Sequence, residues 1–539
     1  MARQHDIRIR LETLNEIGQA LTSQRDFDGL MERIAEAARA FTQADGVTFY
    51  RKDGDELSFD LLRNLSLGMH QGGSASERVD LPRIPLHLKD GRENHSLVVA
   101  HAALTGQTVN VADAYSEPGF DFSGTRAFDK RTGYRSRSFL TVPMKDHAGE
   151  VIGVLQLLNA QGPGGRSRAF TDADRELVES LASQAAIALN NRRLIDQMAE
   201  LFESLIKLIN TALDEKSPYT GGHCERVPEL TMMLAEAAAN TGQGPLAGFS
   251  MSEADRYELK IAGLLHDCGK ITTPVHVVDK ATKLETLFDR IHLVDTRFEV
   301  LLRDVEIAHL KGEIDAATRA ARCAQLRADR EFLRRANIGG EFMRDEDVAE
   351  IERIAAYRWC GPDGKEQSFL GEEEAMNLKI RRGTLNAAER EIINNHIVMT
   401  LRMLEALPWP AHLRKVPEYA GGHHERMDGK GYPRGLKREQ MSVPARVMGI
   451  ADVFEALTAP DRPYKNAKSL SESLTILGRM KVDGHIDPDL FDVFLRERVY
   501  LEYSRRFLDP RQIDHIDWAR IPGVDASLAA LLTATEAKP

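Results

Sequence analysis

The stretch GLLHDCGK, Gly263–Lys270, ends an apolar helical segment with a histidine and an aspartate side by side, and Gly269 is the expected stop signal. Similar side chains recur further along: His396 lies in NAAEREIINNHIVMTL, two histidines open HHERMDGKGYPRGL, and Asp452 lies in GIADVFEAL. Imidazoles and carboxylates together suit divalent metals such as iron, manganese or zinc. Because none of these candidate ligands is a cysteine, a structural zinc site is not expected. The segments therefore indicate a different kind of metal site.

The composition is typical of a soluble, multidomain protein. At 539 residues the chain is too long for one ordinary core, so about two to four domains are expected. The formal charge of −11, from 82 acidic against 71 basic side chains, argues against broad binding to a nucleic acid polymer. No apolar run reaches the roughly 18 residues that span a membrane, and the N-terminus lacks a signal-peptide core. The four scattered cysteines suit a reducing compartment, so we expect a cytoplasmic protein.

Residues 1–170 have the pattern of a mixed α and β domain. Two amphipathic helical patterns lie between Ile7 and Phe41, and strand-like stretches begin at Gly46 (GVTFYRK) and Glu56 (ELSFDLL). Ser138–Ala160 has the pattern of a β-hairpin, so the segment predicts a compact α+β domain. The stretches NVADAYSEPGFD, DKRTGYRSRSFLTVP and GVLQLLN resemble a GAF domain, a small-molecule sensor module.

GAF domains of cyclic-nucleotide phosphodiesterases and cyclases often carry an Asn-Lys…Phe…Asp-Glu signature. Here Asn159 is followed by alanine, Phe170 is present, and Asp174 is followed by arginine. Because the lysine and the glutamate of the signature are missing, cyclic-nucleotide binding is not carried over to this chain. The resemblance therefore implies a folded GAF domain that serves dimerisation or binds an unknown ligand.

A long helix is predicted over residues 171–210, with Thr171 and Asp174 as its N-terminal cap. Apolar residues recur every seven positions on one stripe, and a second stripe follows Asn191: Ile187, Leu194, Leu201 and Leu208, then Met198 and Leu205. Such a pattern over about three repeats is typical of a parallel two-stranded coiled coil. We therefore expect a homodimer, the alternative being a helix packed on its own domain.

The second half of the chain carries six motifs that, in this order, resemble the HD-GYP family of HD-domain metallophosphohydrolases. Between about Leu205 and Asp517 they are YTGGHCERV, LLHDCGKI, LNAAEREIINNH, HHERMDGKGYPRGL, IADVFEALTAPDRPYK and HIDPDLFDVF. One histidine alone would mean little, whereas the ordered set is highly specific. The resemblance implies an all-helical catalytic domain over residues 211–520, with a tail over 521–539. It also implies hydrolysis of the bacterial messenger cyclic di-GMP to pGpG or GMP, regulated by the GAF domain.

The resemblance assigns seven metal ligands, which are His223, His266, Asp267, His396, His423, His424 and Asp452. Iron or manganese is the implied metal, and Asp267 is expected to bridge two ions because a carboxylate can bind through both oxygens. Some members of the family hold a third ion with a glutamate at the position of Tyr219, so two ions are expected here. Both histidines of the HHE motif reach metal in the family. We therefore expect a break in regular geometry after Gly421–Gly422.

Positions near these ligands are expected to act on the substrate. Two metal ions would activate water and clamp a phosphodiester for in-line attack. Lys270 is placed to neutralise developing charge or to protonate the leaving oxygen, and Arg462 and Lys465 of DRPYK resemble phosphate contacts. The glycines of DGKGYPRGL, Gly431 among them, fit a tight loop. Tyr432 is expected either to stack on a guanine or to fix that loop.

Residues 285–381 interrupt the usual order of the family between the HD motif and the helix of His396. The segment is highly charged with helix-compatible apolar spacing, so a helical hairpin is expected. It could cover the active site, contact a partner protomer, bind another signalling protein or be a solvated insertion. Two alternative functions remain open. One is hydrolysis of a related dinucleotide such as cyclic GMP-AMP. The other is a catalytically quiet scaffold in which the loop DGKGYPRGL, residues 428–436 (the GYP loop), binds signalling proteins.

Overall fold

The computed structural model describes residues 27–73, 79–217, 222–242, 244–340, 342–459 and 467–536. The chain divides into two compact units, residues 1–202 and residues 203–539. Of the two helical patterns predicted between Ile7 and Phe41, the first lies outside the described residues. Within the described ranges, every helix is either too short or too polar to cross a membrane.

The first unit contains an antiparallel sheet. Its helices are α1 (Phe27–Thr42), α2 (Val98–Thr105), α3 (Ser123–Thr132) and the first part of α4 (Asp172–Lys216). Its strands are β1 (Ala44–Asp53), β2 (Glu56–Asn64), β3 (Met69–Gly72), β4 (Ile84–Pro85), β5 (Val109–Val111), β6 (Phe139–Lys145), β7 (Val151–Gln161) and β8 (Ser167–Arg168). The strands predicted at Gly46 and Glu56 and the hairpin at Ser138–Ala160 are therefore confirmed.

The sheet has helices on both of its faces. The strands run in the order β3-β2-β1-β7-β6-β5, with β4 paired to β2 and β8 paired to β7. Side chains of a strand alternate between the two faces. Accordingly Phe49, Leu155 and Leu157 pack with α1 and α4, whereas Tyr50 and Val154 pack with α2. The predicted α+β architecture of this unit is confirmed.

Helix α4 begins with the predicted cap. Asp174 Oδ2 accepts hydrogen bonds from the Thr171 N–H at 2.8 Å and from its hydroxyl at 2.9 Å, and the Asp174 N–H donates to Thr171 Oγ1 at 3.2 Å. The helix continues to Lys216, beyond the predicted end at residue 210. The residues of its two heptad stripes are exposed, namely Ile187, Leu194, Met198, Leu201, Leu205 and Leu208. Within the described ranges this apolar stripe is uncovered, so it is available to a partner.

The second unit is mainly helical. Its helices are α5 (His223–Asn240), α6 (Glu253–Leu265), α7 (Val275–Val278), α8 (Ile291–Leu310), α9 (Ala316–Asn337), α10 (Asp345–Ala355), α11 (Glu372–Leu378), α12 (Ala387–Glu405), α13 (Val416–Gly421), α14 (Val443–Thr458), α15 (Leu470–Val482), α16 (Pro488–Arg496), α17 (Val499–Phe507) and α18 (Ala526–Glu536). Short 3-10 turns occur at Gly244–Leu246, Cys268–Thr272, Ala411–Leu413, Arg438–Gln440, Pro510–Gln512 and Trp518–Arg520. The predicted helical fold of this region is confirmed.

The start of α12 positions the helix that carries His396. Asn386 Oδ1 accepts from the Glu389 N–H at 2.9 Å and Glu389 Oε2 accepts from the Asn386 N–H at 2.9 Å, which together form a capping box. The buried Lys280 Nζ also donates to both oxygens of Glu389, at 2.7 and 2.8 Å. The cap is therefore anchored to the segment that follows α7.

The inserted segment, residues 285–381, contains a hydrophobic core of its own. Helices α8 and α9 pack together as the predicted hairpin, and α10 and α11 complete the core around Phe298, Leu333, Ile354 and Phe369. Strands β9 (Arg358–Cys360) and β10 (Glu366–Ser368) form a small antiparallel sheet that the sequence did not predict. Three residues are too few to show a period-two pattern.

The segment over residues 521–539, predicted as a tail, contains helix α18. Leu528 and Leu532 are buried, and the helix packs against α16 and the turn at Trp518–Arg520. The sequence of α18, ASLAALLTATE, has almost no charged face, so it lacks the amphipathic pattern that would have predicted a docked helix.

Gly269 has a different role from the predicted helix stop. Helix α6 ends at Leu265, and Gly269 follows inside a 3-10 turn without the positive φ of a C-cap glycine. A Cβ at Gly269 would lie 2.0 Å from His396 O and 2.5 Å from Thr400 N, and the Gly269 N–H donates to Thr400 Oγ1 at 3.0 Å. Glycine is required because the backbone of α12 leaves no room for a side chain.

We expect Gly269→Ala to destabilise the second unit by about 1–3 kcal/mol, the usual range for overpacking a close contact. Gly248→Ala is the matched control, because a Cβ there meets no atom within 4 Å. Urea unfolding of the full chain, followed by circular dichroism, compares the two variants. Equal free energies of unfolding would contradict the packing role of Gly269.

Candidate metal centre

The structure brings the seven predicted ligand positions together in the second unit. Six of them form two groups whose ligand atoms lie within 4.8 Å of one another: His223, His266 and Asp267, then His396, His423 and His424. Asp452 joins the first group, with Oδ1 3.4 Å from His223 Nε2 and 3.9 Å from His266 Nε2. Segments far apart in the chain therefore meet at one place.

Three of the imidazoles are oriented by the same kind of contact. Nδ1 of each faces the backbone carbonyl oxygen three residues earlier, at 2.7 Å for His266, 2.5 Å for His396 and 2.6 Å for His423. A carbonyl oxygen can only accept, so Nδ1 is the donor, and in a neutral ring the lone pair then lies on Nε2. The second nitrogen of each ring is therefore available to a cation, as is usual for histidine ligands.

Several atoms that face the centre have no hydrogen-bond partner among the described residues. They are Nε2 of His223, His266 and His423, and Oδ1 of Asp267. His266 is fully buried and His423 is 3% exposed, and buried polar atoms are normally paired. Nε2 of His396 and Nε2 of His424 also face each other at 3.1 Å. The residues present therefore fit divalent metal ions.

The adjacent histidines lie just beyond the end of a helix. Helix α13 ends at Gly421, and Gly422, His423 and His424 follow in a turn. The two imidazole rings have their centroids 4.1 Å apart at an angle of 45°. The predicted break in regular geometry is confirmed, and it lets two neighbouring side chains face the same group.

Lys270 and Asp267 form an ion pair inside the centre, with Nζ 2.5 Å from Oδ2. Burial alone would raise the pKa of Asp267, but Lys270 and His266 hold it well below its usual value. Burial would likewise lower the pKa of Lys270, but the carboxylates of Asp267 and Asp452 raise it above its usual value. Both members of the pair are therefore charged at neutral pH.

The imidazoles differ in charge. Burial lowers the pKa of His423 to about 4, and burial together with His423 holds the pKa of His424 well below its usual value. Burial would also lower the pKa of His223, but the carboxylates of Asp267, Asp452 and Glu455 outweigh it and raise that pKa well above its usual value. At neutral pH His423 and His424 are thus ready to bind metal, whereas His223 carries a proton.

Glu455 is a site residue that the sequence prediction missed. Its buried carboxylate contacts His223 Nδ1 and accepts from Arg226 Nε at 2.7 Å. Glu455 thereby directs His223 Nε2 toward the centre, as the carbonyl oxygens do for the other rings. Its position one helical turn after Asp452 in α14 is the signal that could have found it.

Lys216, the last residue of α4, is a second residue that the sequence prediction missed. Its Nζ donates to three carbonyl oxygens of the turn that carries Lys270, at 3.1 Å for Lys270, 2.5 Å for Ile271 and 2.5 Å for Thr273. The carbonyls lie more than fifty positions away in sequence. No local pattern could therefore have indicated the contact.

The GYP loop is fixed by a buried glutamate. Glu425 accepts from the backbone N–H of Arg434 at 2.7 Å and of Leu436 at 2.8 Å. A Cβ at Gly431 would lie 2.4 Å from the backbone nitrogen of Arg426. Glycine is required there because the two backbone segments approach closely. The Tyr432 ring stacks on His424, with centroids 4.8 Å apart and an angle of 24°. Of the two roles expected for Tyr432, this contact favours fixing the loop.

A cavity of about 570 Å³ opens onto the two groups of ligands. Cations line it together with the loop residues Gly431 and Tyr432: Arg226, Lys270, Arg426, Lys430 and Lys468. This local positive charge suits an anionic substrate although the whole chain is acidic. The predicted phosphate contacts Arg462 and Lys465, and Tyr219, lie outside the described residues.

Comparison with known families identifies the domains. The GAF domain family matches residues 26–189. HD domain families match residues 220–356 and residues 372–490. The two HD matches contain the metal-ligand positions described above, on either side of β9 and β10.

Proteins with known activities are similar to parts of this chain. The 3′3′-cGAMP-specific phosphodiesterase 1 of Vibrio cholerae is 40% identical over 114 residues, which cover 21% of this chain and 26% of that protein. The 3′3′-cGAMP-specific phosphodiesterase 3 of the same organism is 23% identical over 321 residues, which cover 60% and 43%. The cyclic di-GMP phosphodiesterase of Thermotoga maritima is 34% identical over 168 residues, which cover 31% and 42%.

Each of these matches spans less than half the length of the relative. The order of the domains is nevertheless clear, because the GAF match and the HD matches occupy separate parts of the chain. The chain therefore carries a GAF domain followed by HD domains, in the order that the sequence predicted.

Proposed function

We propose that the second unit hydrolyses the phosphodiester bonds of a cyclic dinucleotide. The observation that carries the proposal is the cluster of buried imidazole and carboxylate atoms that lack hydrogen-bond partners among the described residues and face a cavity of about 570 Å³. Cyclic di-GMP is the proposed substrate, with pGpG and/or GMP as the product. Relatives named as phosphodiesterases of cyclic dinucleotides support this class of substrate.

Two divalent metal ions, iron or manganese, are proposed at the two groups of ligands. Asp267 lies between the groups, with Oδ2 3.2 Å from His223 Nε2 and Oδ1 3.3 Å from His396 Nε2. Its two oxygens thus face different groups, which supports a bridging role. Such ions supply an activated water and neutralise the charge of a bound phosphodiester.

His223 would exchange its proton for a metal ion. The carboxylates that face this imidazole hold its pKa well above the usual value, after burial has acted in the opposite direction. A cation at Nε2 would replace the positive charge that the proton provides. The same carboxylates therefore stabilise either a proton or a metal ion at His223.

Lys270 would supply positive charge to the reacting phosphate. Its ammonium stays protonated at neutral pH because Asp267 and Asp452 raise its pKa against the effect of burial. A fixed ammonium can stabilise negative charge on the phosphate as the leaving oxygen departs. Its raised pKa makes it a weak acid, so we favour charge neutralisation over proton donation.

Cyclic GMP-AMP is the second candidate substrate. The similarity to two phosphodiesterases named as specific for 3′3′-cGAMP favours it. Steady-state kinetics with both dinucleotides, on protein of measured iron or manganese content, test the choice. A higher kcat/KM for cyclic di-GMP supports the proposed substrate, a higher value for cyclic GMP-AMP supports the second, and turnover of neither favours the quiet scaffold.

We further propose that the chain forms a homodimer through α4 and that the GAF domain, with a ligand still to be identified, regulates turnover. The support is the exposed stripe that includes Leu194, Met198 and Leu201, which are 45%, 71% and 62% exposed. Burial of such a stripe against a second copy would remove apolar surface from water. Binding of other signalling proteins by the GYP loop or the insertion stays a prediction.

The double variant His266→Ala with Asp267→Ala should lose both metal and turnover, because it removes one ligand and the proposed bridge. Elemental analysis and hydrolysis of cyclic di-GMP measure the two losses. The exposed His412→Ala serves as the control for removal of a histidine. Full metal content in the double variant would refute the ligand assignment.

Lys270→Met should keep its metal yet lose about 100-fold or more in kcat, because its proposed contribution is to charge that develops in the reaction. Lys365→Met, at an exposed position of the insertion, is the matched control. Activity at the wild-type rate would show that Lys270 takes no part in the reaction.

Leu194→Glu with Leu201→Glu should dissociate the dimer, because like charges would face each other across the seam. Arg192→Glu with Ala199→Glu has the same spacing on the far side of the helix, and both positions are exposed. Sedimentation velocity compares the variants. If the wild-type chain is a monomer, or both double variants stay dimeric, the proposed interface is wrong.

A further inference from the structure

A second cavity, of about 370 Å³, lies where the inserted segment, residues 285–381, begins and ends. Among the described residues, its lining contains one carboxylate, that of Asp347, and four positively charged side chains, which are Lys283, Arg335, Arg344 and Arg381. Apolar side chains, including Phe332 and Phe342, complete the wall. The cavity has no part in the proposed hydrolysis, because its lining shares no residue with the metal centre.

Backbone hydrogen bonds build the frame of this cavity. The Lys283 N–H donates to Asn337 O at 2.9 Å, and the Met343 N–H donates to Arg381 O at 2.9 Å. The segment that enters the insertion and the segment that leaves it therefore both contribute to the wall. A cavity formed by paired backbone has a defined shape, as a binding site requires.

Lys283 is a buried ammonium that forms no salt bridge among the described residues, and the carboxylate of Asp347 acts on it only at longer range. Its side chain is 2% exposed, and Nζ donates to Leu378 O at 3.0 Å and lies 3.9 Å from Met343 Sδ. Burial lowers the pKa of this amine to about 8. Buried lysines are almost always paired with an opposite charge. An anion from solution would provide the directly paired negative charge that Lys283 lacks among the described residues.

The other charges of the wall leave a net positive site. Arg344 pairs with Asp347 at 3.1 Å, and Arg381 pairs with Asp345 at 2.6 Å. Lys283 and Arg335 have no such partner among the described residues. Two cations that form no salt bridge suit the charge of a phosphate monoester, which Lys and Arg side chains bind well.

The rim adds a surface for a ring. Phe342 is 73% exposed although it lines the cavity, and Ile338 beside it is 58% exposed. An aromatic side chain open to solvent at the edge of a cationic cavity can stack on a nucleobase. We propose that this cavity binds a nucleoside monophosphate, with the phosphate at Lys283 and Arg335 and the base against Phe342.

Hydrogen–deuterium exchange of the full chain with guanosine 5′-monophosphate locates the binding. We expect protection of peptides that contain Arg335–Ile338 and Phe342–Asp347, and none with guanosine, which lacks the phosphate. Protection confined to the metal centre, or none anywhere, would overturn the proposal. Inorganic phosphate that binds as tightly as the nucleotide would overturn the choice of ligand class.

Calorimetric titration of variants with the same nucleotide tests the contacts. Arg335→Gln should weaken binding about tenfold or more, because it removes a charge-assisted hydrogen bond. Arg322→Gln changes an exposed arginine of the same helix outside the cavity and should bind as wild type does. Equal affinities of these two variants would contradict the proposed phosphate contact.

Lys283→Met separates a binding role from a structural one. Removal of a buried charge that forms no salt bridge should leave the melting temperature of the ligand-free chain unchanged or higher. The rise in melting temperature that the nucleotide causes should disappear. A lower melting temperature together with an intact response to the nucleotide would show that Lys283 serves the fold alone.

Discussion

The buried carboxylate of Asp267 is the constraint on which the candidate centre depends. It lies within 3.3 Å of imidazole nitrogens of both ligand groups and pairs with Lys270. Removing a carboxylate from water is unfavourable unless opposite charge and hydrogen bonds compensate. The surrounding helices must therefore bring their cations and imidazoles close together, and the lack of space at Gly269 is one result of that approach.

Residues at or just beyond the ends of helices supply more of the candidate metal ligands than residues in the middle of helices do. His266 directly follows α6, and His423 and His424 follow α13, so their side chains leave the regular helical spacing. Carbonyl oxygens near a helix end lack partners within the helix, and those of Gly263 and Ala420 orient two of the rings. One structural feature thus explains both how neighbouring histidines converge and which nitrogen of each ring faces the candidate centre.

The sequence predicted those parts that local patterns encode. The strands at Gly46 and Glu56, the cap of α4 and the helical hairpin of the insertion follow from residue spacing, and the ligand positions follow from ordered motifs. Contacts between distant segments were missed. Lys216 reaches a turn more than fifty residues away, and Gly269 is needed because of a neighbour on another helix. Neither contact can be predicted from the residues that are close to it in sequence. The docked helix α18 was missed because its sequence has almost no polar face.

The central claim is that Asp267 joins two metal ions held by two groups of ligands. Anomalous X-ray scattering from crystals of protein prepared with manganese tests it most directly. The account predicts two peaks per chain on either side of the Asp267 carboxylate, one bonded to His223 and His266 and the other to His396, His423 and His424. A single peak, or peaks away from Asp267, would contradict it.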